Sequence, residues 1–319
     1  MRLRLLLLAA SVLRAASTPS PALVVLNKEI ATLSIIDPAT GQTVATATTG
    51  EGPHEVAVSP DGKLAVVGNY GKQTPGNSLS VIDLIAQKEI RRVDLGPLRR
   101  PHGIAFWDGK AYFTAEVNKL IGRYDPASNQ VDWLLGTGQN VTHMILFSKD
   151  HRSMFTANIG SDSITMIEPV RSGWNENVIP VGKGPEALDL SPDGSELWTA
   201  HSGDGGVSII DVASKKVVRT LQLGTKRSNR LKFTPDGKLV LISDLEAGEL
   251  LVLNTASQSV VKRIPLGRGV EGILITPDGA HAYVAVNAEN QIAVLDLRTF
   301  QVESRISTNS PDGMAWATR

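Results

Sequence analysis

The histidines are the residues of this 319-residue chain whose type and spacing most favour chemistry. Three of the six, His54, His102 and His143, each begin a short apolar run, and they are separated by 48 and 41 residues. A neutral imidazole binds transition metals and exchanges its proton near neutral pH, so converging imidazoles suit metal binding or acid/base catalysis. Such a site exists only if the fold brings these distant positions together.

An internal repeat meets that requirement. A turn dipeptide recurs at intervals of 47, 42, 43, 43 and 42 residues, at Asp61-Gly62, Asp108-Gly109, Asp150-His151, Asp193-Gly194, Asp236-Gly237 and Asp278-Gly279. Each turn lies between two alternating runs, such as VAVS and LAVVGN, which predict a β-hairpin. A third run ending in an acid or amide follows, and then a more polar fourth run. Four strands in about 42 residues are typical of propeller blades.

The two ends of the chain complete the ring. Six full repeats, blades 1 to 6, run from Pro53 to Thr308. The N-terminal piece supplies only second, third and fourth strands, and residues 311–318 supply only a first strand. We therefore predict one all-β domain over residues 18–319, a seven-bladed β-propeller with four-stranded blades. Blade 7 forms when the N-terminal strands pair with the C-terminal strand, which removes open sheet edges in a chain without cysteine.

Alignment of the repeats predicts two rings of polar residues at one mouth of the central channel, because the inner strand begins where the second strand ends. The inner-strand starts are His54, His102, His143, Glu186, Asn229, Glu271 and Asp312. The second-strand ends are Asn27, Asn69, Glu116, Asn158, His201, Asp244 and Asn287. None of the fourteen is apolar, so this funnel is the predicted ligand-binding site.

Two interpretations of these rings stay open. Polar side chains at strand ends often bond the local backbone, and propeller channels commonly hold ordered water. Alternatively, His54, His102, His143 and Glu116 bind a divalent metal ion or perform acid/base catalysis, while the other ring residues and Arg230 contact a ligand. The proposed metal ligands come from separate blades and therefore form no local spacing motif.

Much of the chain resembles the YVTN β-propeller repeat family, in strings such as PHEVAVSPDGKLAVVGNYG and VSIIDVASKKVVRTLQLG. The resemblance covers nearly all of residues 18–319 and implies the propeller fold. It also implies a surface or periplasmic binding protein, although the same scaffold hosts lactonases and lyases. Function must therefore be inferred from the site itself.

Two single blades resemble enzymes. Blade 2, RPHGIAFWDGKAYFTAEVNKLIGRYDP, is similar to a streptogramin-lyase repeat, which implies magnesium-assisted opening of a cyclic depsipeptide with His102 and Glu116 at the matching positions. Blade 1 is similar to the seven-bladed lactonase and muconate-cyclising enzymes, which place a histidine and arginines around a carboxylate substrate. His54 and Asn69 match that local string, and Arg227 and Arg230 would face the carboxylate unless they are solvated loop charges.

Blade 1 also carries an insertion. Between Asn69 and His102 there are 33 residue steps, and the excess falls in residues 70–77 and 97–100. Both segments are expected on the funnel face, where a Gly/Pro-rich loop could act as a lid or bind a partner, or could be a tolerated surface insertion.

The N-terminus predicts export. Residues 1–17, MRLRLLLLAASVLRAAS, combine early arginines, a short apolar stretch and small residues suited to cleavage, as in a signal peptide. No other segment predicts a transmembrane span after cleavage, so we expect a secreted or periplasmic protein. Without the leader's three arginines the chain has 29 basic and 32 acidic residues, which argues against a broad nucleic-acid surface.

Three functional hypotheses follow. The first is a monomeric extracytoplasmic propeller that binds a small molecule or a protein at the His/Glu/Asn-lined funnel. The second is a metal-assisted lactonase or lyase acting on a lactone-like or cyclic ester substrate. The third is a DNA-binding propeller, which the charge balance disfavours. Turnover distinguishes the first two, and whether the chain is an enzyme is left open by its sequence.

Overall fold

Seven four-stranded antiparallel sheets form a ring of blades in the computed structural model, which describes residues 17–319. The predicted signal peptide falls almost entirely outside the described residues. The blade prediction is confirmed, including the composition of blade 7, whose strand order joins the C-terminal strand to the three N-terminal ones. No helix of the described part of the chain is long and apolar enough to cross a membrane.

The strands follow the repeat. Blade 7 begins with β1 (Ala22–Asn27), β2 (Thr32–Asp37) and β3 (Gln42–Thr48). Blade 1 has β4 (Pro53–Val58), β5 (Leu64–Gly71), β6 (Pro75–Asp83) and β7 (Lys88–Asp94). Blade 2 has β8 (Pro101–Trp107), β9 (Lys110–Ala115), β10 (Leu120–Asp125) and β11 (Gln130–Gly136). Blade 3 has β12 (Thr142–Phe147), β13 (Met154–Asn158), β14 (Ser163–Val170) and β15 (Gly173–Pro180).

The remaining blades repeat the pattern. Blade 4 has β16 (Pro185–Leu190), β17 (Glu196–His201), β18 (Gly206–Asp211) and β19 (Lys216–Gln222). Blade 5 has β20 (Ser228–Phe233), β21 (Leu239–Asp244), β22 (Glu249–Asn254) and β23 (Ser259–Pro265). Blade 6 has β24 (Val270–Ile275), β25 (His281–Val286), β26 (Gln291–Asp296) and β27 (Gln301–Ser307). The last strand, β28 (Pro311–Ala317), is the inner strand of blade 7. Two short 3₁₀ turns, Ile159–Ser161 and Asn287–Glu289, follow second strands.

Burial explains the four runs of each repeat. The second strands are buried almost throughout, as in β1 and β25, because neighbouring blades cover both of their faces. The fourth strands alternate between exposed and half-buried residues, as in β11, because they form the outer rim. The apolar cores therefore lie between blades, and burying one Leu, Val or Ile side chain there contributes about 1.5–3 kcal/mol.

The ring closes through backbone pairing of the chain ends. In blade 7, Leu23 pairs with Trp316 and Val24 pairs with Ala315. The inner strands also approach each other closely at Gly313, where an added Cβ would lie 2.4 Å from the carbonyl oxygen of His54. Only glycine permits that approach, which brings the starts of the inner strands together around the channel.

Candidate functional site

A cavity of about 460 Å³ lies at the channel mouth where the inner strands begin. All seven residues predicted at the inner-strand starts line it: His54, His102, His143, Glu186, Asn229, Glu271 and Asp312. The volume lies within the range of small-molecule pockets. A cavity of about 590 Å³ on the rim between blades 6 and 7 is larger, but its lining of residues 38–43, 283, 294 and 304–307 has Arg305 as its one charged side chain. We therefore take the axial cavity, here called the axial pocket, as the candidate site.

Irregular pairing at the start of the inner strands aims these residues into the pocket. In blade 1 the register of β4 against β5 shifts between Pro53 and Val56, and in blade 2 the register of β8 against β9 shifts between Pro101 and Ile104. Equivalent shifts occur in all seven blades. Such bulges bend the strand and redirect a side chain, and they are common beside binding sites.

The second predicted ring is corrected by the structure. The backbone equivalents of Asn69 in blades 2 and 6 are Ala115 and Val286, since each pairs with the first residue of its inner strand. Glu116 and Asn287 each lie one residue later. The sequence alignment misplaced Glu116 because the β8–β9 hairpin of blade 2 is two residues shorter than the β4–β5 hairpin of blade 1. It also accepted Glu116 and Asn287 because both are polar, as the ring residues of the other blades are.

The residues that reach the pocket from this edge are those one position after the residue that pairs with the start of the inner strand. They are Lys28, Tyr70, Glu116, Ile159, Ser202 and Leu245. A shift of one residue in a strand reverses the side-chain direction, so this set faces the pocket and the preceding set faces away. Glu116 thus lines the pocket because it lies one residue after the paired position, whereas amides such as Asn69 lie at the paired position itself.

Six predicted ligand-binding residues instead make contacts inside their own blade or with the adjoining segment of the next. Asn69 accepts a hydrogen bond from the Gly50 N–H and donates to Ser78 and Ser80. Asp244 accepts bonds from the N–H groups of Lys226 and Arg227. The same kind of local bonding occupies Asn27, Asn158, His201 and Asn287. None of these six lines the axial pocket, so their role as ligand contacts stays a prediction that the geometry does not support.

The three imidazoles converge along one wall of the pocket. The ring centroids of His102 and His143 are 3.7 Å apart, and those of His54 and His102 are 5.2 Å apart. Tyr70 stands edge-on to His54 at 4.7 Å and to His102 at 5.4 Å. Burial, together with the neighbouring imidazoles, lowers the pKa of His102 well below its usual range, so this ring is neutral at pH 7.

Glu116 joins two of these groups. One carboxylate oxygen lies 2.5 Å from His143 Nδ1, and the other accepts a 2.7 Å hydrogen bond from the Tyr70 hydroxyl. Burial and the Glu116 charge raise the pKa of Tyr70 above its usual value, so the phenol is protonated and acts as the donor. The carboxylate is therefore held from both sides.

The cluster of His102, Glu116 and His143 could hold a metal ion. One donor atom from each residue lies within 4.8 Å of the others, and all three residues are buried. His102 Nδ1 and His143 Nε2 are buried without a hydrogen-bond partner. Buried polar atoms are rarely left unpaired, and both nitrogens are of the type that coordinates a metal ion. Two imidazoles and one carboxylate are a donor set of first-row transition metals.

His54 belongs to a different group. Its Nδ1 lies 2.8 Å from Asp312 Oδ2, and Lys28 Nζ lies 3.4 Å from the same oxygen. Burial raises the pKa of Asp312, but Lys28, His54 and Arg230 outweigh burial and hold that pKa well below its usual range. Asp312 is thus an ionised carboxylate that orients His54 beside the metal-type cluster.

Lys28 and Glu271 lie beside the His54–Asp312 pair. Lys28 Nζ lies 3.7 Å from Glu271. Burial and the adjacent Asp312 raise the pKa of Glu271 to about 8, so its carboxyl is largely protonated at neutral pH. The pocket therefore presents a neutral carboxyl donor near the Asp312 carboxylate.

Arg230 crosses the channel. It belongs to β20 of blade 5, and its guanidinium bonds Glu55 in β4 of blade 1, with Asp312 at 3.9 Å. Blades 5 and 1 are not neighbours in the ring, so this contact passes through the central channel. Burial lowers the pKa of Arg230, but the surrounding carboxylates raise it by more than burial lowers it. The pKa is therefore above its usual value, and the side chain stays charged.

The insertion of blade 1 reaches the pocket edge. Residues 70–77 extend the β5–β6 hairpin, with Gly71 paired to Pro75, rather than forming an irregular loop. The guanidinium of Arg100 lies 4.4 Å from the centre of the Tyr70 ring, and Lys72 forms an ion pair with Glu29 of blade 7. The insertion therefore holds Tyr70 over the histidines.

The fold and pocket define the chain as a seven-bladed β-propeller with an ionisable axial pocket. No protein-family model and no curated protein matches it. Among solved structures, a putative 6-phosphogluconolactonase from Bacteroides uniformis is 15% identical and covers 93% of this chain and 99% of that chain, with a TM-score of 0.76.

A second putative 6-phosphogluconolactonase, from Bacteroides fragilis, is 14% identical, with coverages of 94% and 99% and a TM-score of 0.77. Hydrazine synthase from Kuenenia stuttgartiensis is 21% identical, with coverages of 82% and 88% and a TM-score of 0.71. These similarities support the fold and include lactonase-like propellers. At such identities they do not assign this chain to a family, and the YVTN resemblance stays a prediction.

Proposed function

We propose that this protein is an extracytoplasmic propeller that binds a small ligand in its axial pocket through a divalent transition-metal ion held by His102, Glu116 and His143. The observation that carries the proposal is the group formed by these three buried residues, whose donor atoms lie within 4.8 Å of one another. Two ring nitrogens of the group, His102 Nδ1 and His143 Nε2, are also buried without a hydrogen-bond partner. A ligand would then complete the coordination from the open mouth of the pocket.

The choice of metal follows from the donor atoms. Neutral imidazoles favour Zn²⁺, Ni²⁺, Co²⁺ or Cu²⁺ over Mg²⁺ and Ca²⁺, which prefer oxygen ligands. His102 needs no deprotonation at neutral pH, because burial already keeps it neutral. When bound, the ion would supply positive charge to a ligand oxygen or nitrogen. Tyr70 holds Glu116 in place for it.

Metal binding can be tested directly. Protein purified without added metal is analysed by inductively coupled plasma mass spectrometry, then stripped with chelator and titrated with Zn²⁺ by calorimetry. We expect one site per chain in the wild type and loss of that site in His102→Ala. The exposed His281, which pairs with Glu303 outside the pocket, provides the matched control His281→Ala, which should bind normally. Absence of high-affinity binding in the wild type contradicts the proposal.

The extracytoplasmic location rests on residues 1–17, which combine early arginines, a short apolar stretch and small residues. Expression of the full chain in a Gram-negative host, fractionation and mass measurement of the product test it. A periplasmic product shortened near Ser17 supports export, and a full-length cytoplasmic product contradicts it.

Metal-assisted lactone hydrolysis is the second candidate. It is favoured by the His54–Asp312 pair, an imidazole oriented by an ionised carboxylate beside the cluster, and by the lactonase-like solved neighbours. In this role His54 would take a proton from water as the water adds to the ester carbonyl, and would return it to the alcohol oxygen as the acyl carbon–oxygen bond breaks. A panel of lactones and cyclic depsipeptides, run with and without chelator, tests it: His54→Gln should retain Zn²⁺ and lose turnover, whereas ligand binding without turnover in the wild type supports the first function alone.

A further inference from the structure

We infer that the ligand of the axial pocket carries a short aliphatic part, which lies against Val141, Ile159 and Leu245 while its polar end lies at the His102–Glu116–His143 cluster. The inference rests on the proposed function and specifies the class of ligand. It begins from the uneven lining of the pocket, where three aliphatic side chains face the same space as the ionisable groups.

The aliphatic part of the lining lies on one side. Val141 and Ile159 come from blade 3 and Leu245 comes from blade 5, with Ser202 of blade 4 between them. Hydrogen bonds, ion pairs or ring contacts connect the pocket groups of blades 7, 1, 2 and 3, and others connect blades 4 and 5. Within residues 17–319, no such contact joins His143 to Glu186. The polar network is therefore broken between blades 3 and 4, beside Val141 and Ile159 of blade 3.

Val141 has an unfavourable backbone conformation, with a φ of 52°. This left-handed region is rare for β-branched residues and costs of order 1–3 kcal/mol. The position two residues before the inner-strand start has a positive φ in six of the seven blades, and three of those blades use glycine: Gly52, Gly184 and Gly269. The other two blades have Arg100 and Ser310 there, so Val141 is the one β-branched residue among the six, and it lines the pocket.

Packing alone is the alternative role for Val141. Its Cγ2 lies close to Gly160, since a Cβ added there would be 3.1 Å away, and its carbonyl accepts a hydrogen bond from the Ile159 N–H. The backbone bond would survive replacement by glycine. Val141→Gly therefore separates the roles, because it relieves the strain and removes only the side chain.

The experiment uses straight-chain alkyl hydroxamates, from acetohydroxamate to hexanohydroxamate, titrated into Zn²⁺-loaded protein by calorimetry. The hydroxamate group chelates the ion, and each added methylene reaches further along the pocket wall. We expect about a fourfold gain in affinity for each of the first two or three methylenes, as for buried CH₂ groups. In Val141→Gly the acetohydroxamate affinity should be unchanged and the chain-length gain should fall at least threefold in total, with the melting temperature within about 2 °C of wild type.

The matched control is Val117→Gly, which removes an exposed valine of blade 2 that does not line the pocket, and it should retain the full chain-length gain. If acetohydroxamate binds the wild type and longer chains gain nothing, the aliphatic inference is overturned while the metal site stands. If no hydroxamate binds because the protein retains no Zn²⁺, the proposed metal site is contradicted, and the aliphatic inference, which rests on it, falls with it. An unchanged chain-length series in Val141→Gly assigns the valine to packing and also overturns the inference.

Discussion

Arg230 of blade 5 and Glu55 of blade 1 form an ion pair through the centre of the ring, with the arginine side chain 7% exposed and the glutamate 15% exposed. Each follows its pocket residue, Asn229 or His54, by one position in an inner strand that runs away from the mouth. Arg230 also lines the axial pocket, so the pair crosses the channel at the inner end of the pocket. It connects blades that share no sheet pairing, and it leaves the pocket mouth as the approach to the cluster.

Removal of Arg230 should destabilise the protein strongly. In Arg230→Met, Glu55 and Asp312 lose a buried partner, and breaking one side of a buried ion pair costs about 3–5 kcal/mol. Urea denaturation followed by circular dichroism measures the change. The double variant Arg230→Met/Glu55→Gln should recover part of the loss, while Lys63→Met, at an exposed pair, should change stability by less than about 0.5 kcal/mol. Equal effects at the two pairs would contradict a buried, coupled role for Arg230.

Zinc should stabilise the folded protein against heat. A ligand that binds only the folded state adds about 4 kcal/mol at a concentration a thousand times its Kd. Differential scanning calorimetry of chelator-treated wild type should therefore show a melting temperature that rises with Zn²⁺ and falls again with EDTA. His143→Ala should show no such rise, and His151→Ala, which changes an exposed histidine outside the pocket, should respond like the wild type. A rise of the same size in His143→Ala would show that Zn²⁺ binds elsewhere.

Stability should fall as pH rises from about 5 to about 8 because of Glu271. Its pKa is about 8 in the folded protein, above the usual value of 4.5 for a glutamate, so the folded state keeps a proton that the unfolded state has lost. This contribution is fully present below pH 4.5 and is lost as pH rises through 8. Glu271→Gln cannot ionise, so its stability should depend less on pH, with a difference of order 1–3 kcal/mol at pH 8.5 relative to pH 5. Parallel pH profiles of the two proteins in urea denaturation would refute the assignment.

Tyr70→Phe should weaken metal binding without unfolding the site. The variant keeps the ring contacts with His54 and His102 but removes the donor to Glu116. Loss of a group that orients a metal ligand typically lowers affinity by 10- to 100-fold. Calorimetric titration with Zn²⁺ measures this loss, and Tyr283→Phe, outside the axial pocket, should leave the affinity unchanged. An unaltered affinity in Tyr70→Phe would mean that Glu116 does not depend on this hydroxyl.

The repeat made the fold and the first ring of the pocket predictable. Turn spacing located the blades, and the inner-strand starts of blades 1 to 6 could be aligned because each lies 6 or 7 residues before its turn dipeptide. Residues beyond the second strands were harder to predict. A hairpin two residues shorter in blade 2 displaced the alignment, and Glu116 was grouped with amides such as Asn69 that face the other way.

Side chains that meet only in space were not accessible from the sequence. Tyr70 was predicted as part of an insertion rather than as the donor to Glu116, because their contact joins two blades. Val141 and Leu245 carried no signal, since a lone aliphatic residue in a turn is unremarkable without its φ or its neighbours. The pairing of His54 with Asp312 likewise depends on ring closure, which brings residues 258 positions apart into contact.

The pairing of β1 with β28 also determines how the molecule can be held. Ala22 lies opposite Ala317 at one end of this pair, and Asn27 lies opposite Pro311 at the end that borders the pocket. Residue 22 and Arg319 are therefore on the face remote from the cluster. A tag, a solid support or a fused domain joined at Arg319 would leave the pocket pointing outwards, so immobilised protein should capture its ligand from solution as readily as free protein does.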